Sequence, residues 1–144
     1  MKKTLILILL LAAFGLPAFG LPASAQTISN VKPIVVTASL TTNTCAGAAI
    51  SATGCIGVNL GGYKYVGVQL TGTWSGTVTF EVTADGGTTW VTQNMLPSTG
   101  TQTAVTTSTA NGLWYSTLLS GSQFRARFST ATSGTVVVTV RATM

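Results

Sequence analysis

From Gln26 onward the sequence predicts an all-β fold, a single antiparallel β-sandwich or jelly-roll-like domain of about eight or nine strands. Three observations carry that expectation. Apolar residues recur with period two, as in Val66, Val68 and Leu70 or Phe124, Ala126 and Phe128, the alternation of half-buried strands. Gly, Ser, Asn and Thr punctuate these runs at spacings near ten residues, and no amphipathic helix of useful length follows residue 25. Threonine, which is β-branched and favours strands, takes 26 of the 119 residues from Gln26 to Met144. No strong internal repeat is visible, which argues against a propeller or solenoid.

The first element is a leader. Met1-Lys2-Lys3 is a short positive region, Leu5 to Leu11 is unbroken Leu/Ile, and Pro17 and Pro22 precede Ala23-Ser24-Ala25. That pattern predicts a bacterial-type secretory signal peptide over residues 1–25, with Ala18-Phe19-Gly20 as an alternative cleavage site. The apolar run is shorter than the roughly 20 residues that span a bilayer. The expected location is therefore secreted or at the cell surface, with the periplasm as a further compartment, and without a stable membrane span after cleavage. Residues 26–144 are then one domain.

Val31 to Leu40 is the first expected strand, with Pro33 near its start as suits a strand beginning or an edge. Cys45 and Cys55, the only cysteines, flank a segment of small residues. In an exported chain such a pair predicts a disulfide. A metal site fails on ligand count, because the chain has no histidine. Ile56 to Leu60 is a short strand closed by Gly61-Gly62, and Tyr63 to Thr71 alternates around Val66, Val68 and Leu70. Gly72 to Gly76 reads as a turn carrying Trp74. Thr77 to Thr83 points Val78, Phe80 and Val82 to one face, and Asp85-Gly86-Gly87 is a tight-turn signal. Thr88 to Met95 is the return strand, and Thr101 to Ser108 a weaker polar one. Asn111-Gly112 turns the chain into Leu113 to Leu118, and Gly121 interrupts it again. Gln123 to Ser129 places Phe124, Ala126 and Phe128 inward and Arg125 and Arg127 outward. Ser133-Gly134 reads as the last turn and Thr135 to Thr143 as the last strand.

Side-chain chemistry is scarce. The chain has two carboxylates, Glu81 and Asp85, and five cations from Gln26 onward: Lys32, Lys64, Arg125, Arg127 and Arg141. Without histidine a serine triad fails. Glu81 and Asp85 are four residues apart, roughly 13 Å on extended chain, against the about 5–9.5 Å of glycosidase pairs. Glu81 is instead expected to pair with an arginine of a neighbouring strand, Arg127 or Arg141. Calcium would need more oxygen ligands. The expectation is no catalytic residue, no cofactor and no metal. The scattered cations form no basic run and argue against nucleic acid.

Thr83-Ala84-Asp85-Gly86-Gly87-Thr88-Thr89-Trp90 fits Ser/Thr-x-Asp-x-Gly-x-Thr-Trp and resembles the Asp-box of sialidases and related β-propellers. In those families the box is a structural hairpin away from the catalytic centre. The resemblance therefore implies structural roles for Asp85, Gly86, Gly87 and Trp90. Asp85 would accept N–H bonds across the turn, the glycines would permit positive φ, and Trp90 would pack over the hairpin.

A longer resemblance spans about residues 63–144. It rests on Val68-Gln69-Leu70-Thr71-Gly72-Thr73-Trp74-Ser75-Gly76-Thr77-Val78-Thr79-Phe80-Glu81, Asp85-Gly86-Gly87-Thr88-Thr89-Trp90, Ala110-Asn111-Gly112-Leu113-Trp114, Phe124-Arg125-Ala126-Arg127-Phe128 and Thr132-Ser133-Gly134-Thr135-Val136. Together these resemble a β-sandwich module of tailed-phage virion and tail-associated proteins. That resemblance implies a structural or receptor-facing role without catalysis. The leader and the cysteine loop depart from the phage pattern and favour an exported relative.

Trp74, Trp90, Trp114, Tyr63, Tyr65 and Tyr115 offer aromatic faces on which a sugar ring can stack, although tryptophans in a small β-domain also fill cores and cap hairpins. Trp114, Tyr115 and Trp74 are the candidate ligand-binding residues. Trp114 and Tyr115 are adjacent, so on a strand they face opposite ways. The expected function is an exported, non-enzymatic structural or adhesion subunit that self-associates or joins other surface or virion proteins. The N-terminal strand and the Thr101–Ser108 strand offer edges for docking. The alternative is a stand-alone carbohydrate-binding module with a glycan partner.

Overall fold

The computed structural model describes residues 31–117 and 123–144. The expected leader and its cleavage site lie outside the described residues, as do Leu118 and Gly121. The described chain contains strands and no helix: β1 (Ile34–Leu40), β2 (Cys55–Asn59), β3 (Tyr65–Thr83), β4 (Val91–Thr92), β5 (Leu96–Pro97), β6 (Thr107–Ser108), β7 (Gly112–Thr117) and β8 (Gln123–Thr143).

Two long strands organise everything. β3 and β8, of 19 and 21 residues, pair antiparallel from Tyr65 opposite Thr143 to Thr83 opposite Gln123. The first half of β3 and the second half of β8 carry β7 and β1 on their outer edges, giving the order β1-β8-β3-β7-β5. At the other end β2 pairs with the start of β8, while β4 and β6 pair with the end of β3. All eight strands belong to one antiparallel hydrogen-bonded sheet.

The alternation in the sequence sets the faces. Even-numbered residues of both halves turn inward: Val66, Val68, Leu70, Val78 and Phe80 from β3, and Phe124, Ala126, Phe128, Val136, Val138, Val140 and Ala142 from β8. They form one buried cluster with Leu40, Val58, Leu60 and Met95. Fully burying each large apolar side chain contributes about 1.5–3 kcal/mol, and this cluster is the main driving force for the fold.

Two expected turns are absent. Gly72 to Gly76 and Ser133-Gly134 lie inside β3 and β8, where the ladder continues past them. The register shifts twice there, at Ser75/Gly76 and Thr77/Val78. Thr132 and Ser129 of β8 are the extra residues, so two bulges bend the ribbon without ending it. Because two residues are inserted, the inward parity survives the bend. The glycines serve the close approach of the two backbones: a Cβ on Gly76 would lie 1.9 Å from the Thr130 carbonyl oxygen, and one on Gly134 2.2 Å from that of Thr73. Four expected strands thereby become two.

The expected strands Thr88–Met95 and Thr101–Ser108 shrink to the two-residue β4 and β6. Their sequences lack the apolar alternation that would hold a face against the core. Met95 and Val105 exchange backbone hydrogen bonds of 2.8 and 2.9 Å as an isolated bridge.

Candidate functional site

Odd-numbered residues of β3 and β8 turn away from the core, and this outer face differs at its two ends. At the β2–β4 end it is covered. Cys45 and Cys55 are disulfide-bonded, with a Cα–Cα distance of 5.6 Å, which ties the loop over residues 46–54 to the start of β2. Arg125 lies beneath that loop and is 5% exposed. Its Nη1 donates to the Gly47 and Ala49 carbonyls at 3.0 and 2.8 Å, and its Nε donates to Glu81 Oε2 at 2.6 Å. Its guanidinium sits 3.9 Å over the Trp90 ring.

Glu81 is 5% exposed and lies directly opposite Arg125 in the ladder. Arg127 closes on its other oxygen, with Nη2 at 2.6 Å and Nε at 3.0 Å from Oε1. Burial pushes the Glu81 pKa upward, but the hydrogen bonds and charges of Arg127 and Arg125 outweigh it and hold the carboxyl below its ordinary value. Arg127 is thus a partner of Glu81 as expected, Arg125 is a second one, and Arg141 lies at the opposite end of β8. The outward direction expected for Arg125 is correct as parity and wrong as exposure, because the disulfide loop covers it.

The segment Thr83–Trp90 connects β3 to β4, which pair through Glu81–Thr92 and Val82–Val91. The Thr83 hydroxyl donates to Asp85 Oδ1 at 2.6 Å and accepts from the Gly87 N–H at 3.1 Å. The Thr89 N–H donates to the same Asp85 oxygen at 2.9 Å. The Thr83 hydroxyl and then the Thr89 N–H lower the exposed Asp85 carboxyl to about 2. Gly86 and Gly87 both have positive φ, 72° and 98°. Gly87 is also buried against the cysteine loop, where a Cβ would lie 2.8 Å from the Ala48 carbonyl oxygen.

At the β1–β7 end the outer face is bare among the described residues. The register places Val35, Arg141, Gly67, Tyr115 and Leu96 in one row across five strands. Gly67 contributes no side chain, so the row is interrupted at its middle. Tyr65 and Gln69 stand two residues either side of it on β3, and Arg141 and Tyr115 flank it on β8 and β7. The result is an open depression of about 660 Å³ with Gly67 in its floor, continued by Val35, Leu113 and Thr139. Tyr65, Tyr115, Leu113 and Val35 are all exposed, Tyr65 by 51%.

The three candidate aromatics separate. Tyr115 stands in the depression. Trp114, 8% exposed, turns inward against Phe80 with ring centroids 5.8 Å apart, so its ring belongs to the core. Trp74 is half-buried, edge-on to Phe128 at 5.7 Å, and its Nε1 donates to Asn111 Oδ1 at 2.7 Å. It borders a separate small hollow of about 240 Å³. Gly67, Gln69 and Arg141 escaped the sequence reading as site residues. The signal was present, because they share odd parity with Tyr65 and Tyr115, but which β-strands lie side by side was not legible.

No protein-family pattern matches the chain, and no curated protein matches it. A solved structure that resembles it is that of the SPBc2 prophage-derived protein YomS. The match has a TM-score of 0.56 at 12% sequence identity and covers 78% of this chain and 96% of that one. At that identity the likeness is one of fold, and it places the chain's all-β architecture beside a phage-derived one.

Proposed function

We propose that the chain is a non-enzymatic structural or adhesion subunit, a surface or virion-associated assembly module, and that it engages its partner through the depression around Gly67. The observation that carries this reading is the set of exposed side chains Tyr65, Tyr115, Leu113 and Val35 around one depression. Exposed apolar side chains gathered around one concavity mark an interaction surface. The fold likeness to a prophage-derived protein supports the phage-related side of the reading. The leader pattern and the Cys45–Cys55 bond support export to an oxidising compartment. The segment from Thr83 to Trp90 serves as a structural, Asp-box-like hairpin. The test is size: light scattering of the exported protein over a range of concentrations is expected to show oligomers or filaments that the double variant Tyr65→Ser/Tyr115→Ser weakens. A strict monomer at high concentration would count against assembly.

A second reading, a carbohydrate-binding module, is favoured by one observation. Tyr65 and Tyr115 are diagonal neighbours on adjacent strands, and both are exposed in the same concavity. A glycan array with Tyr115→Ala and Tyr65→Ala variants tests it. Binding left unchanged in both variants would remove the depression from the account.

A further inference from the structure

The depression has one feature that neither an apolar interface nor a neutral sugar site requires. Arg141 is exposed at its side, directly across the ladder from Gly67. The chain has only two side-chain carboxylates. Arg125 and Arg127 hold Glu81 at the opposite end of the ribbon, and Thr83 and Thr89 hold Asp85 within its own turn. Both carboxylates lie at the far end of the β3–β8 ladder from Arg141. A second copy brings the same shortage, so self-packing through this face leaves Arg141 without a carboxylate side chain. Arg141 is therefore an exposed guanidinium at the edge of the depression, open to an anion brought by a different molecule.

The rest of the cavity says what carries that anion. Arg141 and Tyr115 occupy strands on either side of β3, so they are separated by two interstrand spacings, about 9.5 Å. The space between them has Gly67 as its floor, an amide at Gln69 on one side and a phenol ring at Tyr65 on the other. A pyranose ring is of a size to fill such a gap, where its C–H face would lie on a tyrosine ring and a hydroxyl would meet Gln69. A carboxylate on the same ring reaches the guanidinium, whose paired N–H donors match it. We propose that the depression around Gly67 binds an acidic saccharide, a uronic- or sialic-acid-bearing glycan, with Arg141 selecting its carboxylate. This rests on the adhesion and carbohydrate readings above and names the ligand class for the same site.

Calorimetric titration of the protein with tetragalacturonate and sialyllactose, beside neutral galactotetraose and lactose, tests the proposal. The acidic sugars should bind about tenfold or more tightly than their neutral counterparts, with the preference shrinking as salt rises. Arg141→Gln should erase the preference and keep the weaker neutral binding. Gly67→Val should lose both, and its fold is expected to hold because the nearest atom to an added Cβ is the Trp114 carbonyl oxygen at 3.8 Å. Equal binding of acidic and neutral sugars would overturn the acidic inference and leave the carbohydrate reading standing. Equal binding of a polyglutamate peptide would overturn the saccharide class. Binding of no sugar, with a dimer that Gly67→Val dissociates, would overturn the inference and assign the face to a second copy.

Discussion

Between Thr77 and Thr83 on β3 and between Gln123 and Ser129 on β8, the odd-numbered side chains are polar or charged. Glu81, Thr79 and Arg125 are nonetheless buried. The same parity on the same two strands, at the other end of the ribbon, gives Tyr65, Gly67 and Gln69 on β3 and Thr139, Arg141 and Thr143 on β8. There Tyr65 is exposed beside Gln69 and Arg141. Charged side chains of the same parity are buried at one end and exposed at the other, and the cause is the cover. The loop over residues 46–54 supplies carbonyls to Arg125, and Gly87 lets the β3–β4 connection lie against it. The covered end satisfies its charges internally. The bare end leaves aromatic faces and one guanidinium to an external partner.

The largest effect expected at the covered end follows from breaking its charge cluster. Glu81→Gln leaves the buried Arg125 without a counter-charge and turns an amide N–H₂ toward one of the two guanidinium groups. Removing one partner of a buried ion pair costs about 3–5 kcal/mol, and urea unfolding should show that loss. The matched change at the bare end, Arg141→Gln, should stay within about 0.5 kcal/mol as an exposed substitution. Equal losses at the two positions would erase the distinction between the ends.

Next in size is the disulfide. Replacing Cys45 and Cys55 by serine should cost about 2–3 kcal/mol by loop-closure entropy. Hydrogen exchange should rise over residues 46–54, the loop whose Gly47 and Ala49 carbonyls accept from the Arg125 guanidinium. Protection in β3, β7 and the second half of β8 should persist, because the even-numbered core there does not touch the loop through hydrogen bonds. Free-thiol titration of exported, denatured protein should find no reactive thiol.

Acid provides a graded version of the same attack. The folded pKa values of Glu81 and Asp85 are both depressed, so each contributes stability above its unfolded value, near 4.5 and 3.8, that is lost as pH falls toward the folded value. Stability should therefore decline below about pH 4.5, and the Asp85 part should extend to about pH 2. Asp85→Asn should remove that lower part of the titration when urea midpoints are compared at several pH values. A decline of equal shape in Asp85→Asn would show that the turn contributes nothing to it.

Much of this was legible from residues alone, and the omissions share a cause. Alternation fixed which side of each β-strand meets the core, because burial on one face of a pleated chain imposes period two. The cysteine pair in a small-residue segment likewise announced its bond. Gly72, Gly76 and Gly134 misled, because glycine suits a tight turn and the close approach of two paired backbones equally, and only the partner strand decides between them. Arg125 misled for a related reason: parity aims a side chain, but a loop distant in sequence determines whether water reaches it. The Gly67 depression is assembled from β1, β3, β7 and β8, and its residues become neighbours only when the strand order is known.

The sharpest probe of the bare end, with a small expected stability effect, is Gly67→Val. A glycine inside a strand costs about 0.5–1 kcal/mol relative to alanine through its backbone entropy, and valine is a strong strand former. The backbone at Gly67 is not in the left-handed region, and an added Cβ meets nothing nearer than 3.8 Å. The variant should therefore unfold at an equal or slightly higher temperature, by an amount worth no more than about 1 kcal/mol. A strand built only for stability would have a side chain here, as its neighbours Tyr65 and Gln69 do. If Gly67→Val is neutral or stabilising yet abolishes partner binding, the missing side chain belongs to the binding face and not to the fold. If it destabilises by several kcal/mol, Gly67 is a packing residue, and the depression loses its standing as a site.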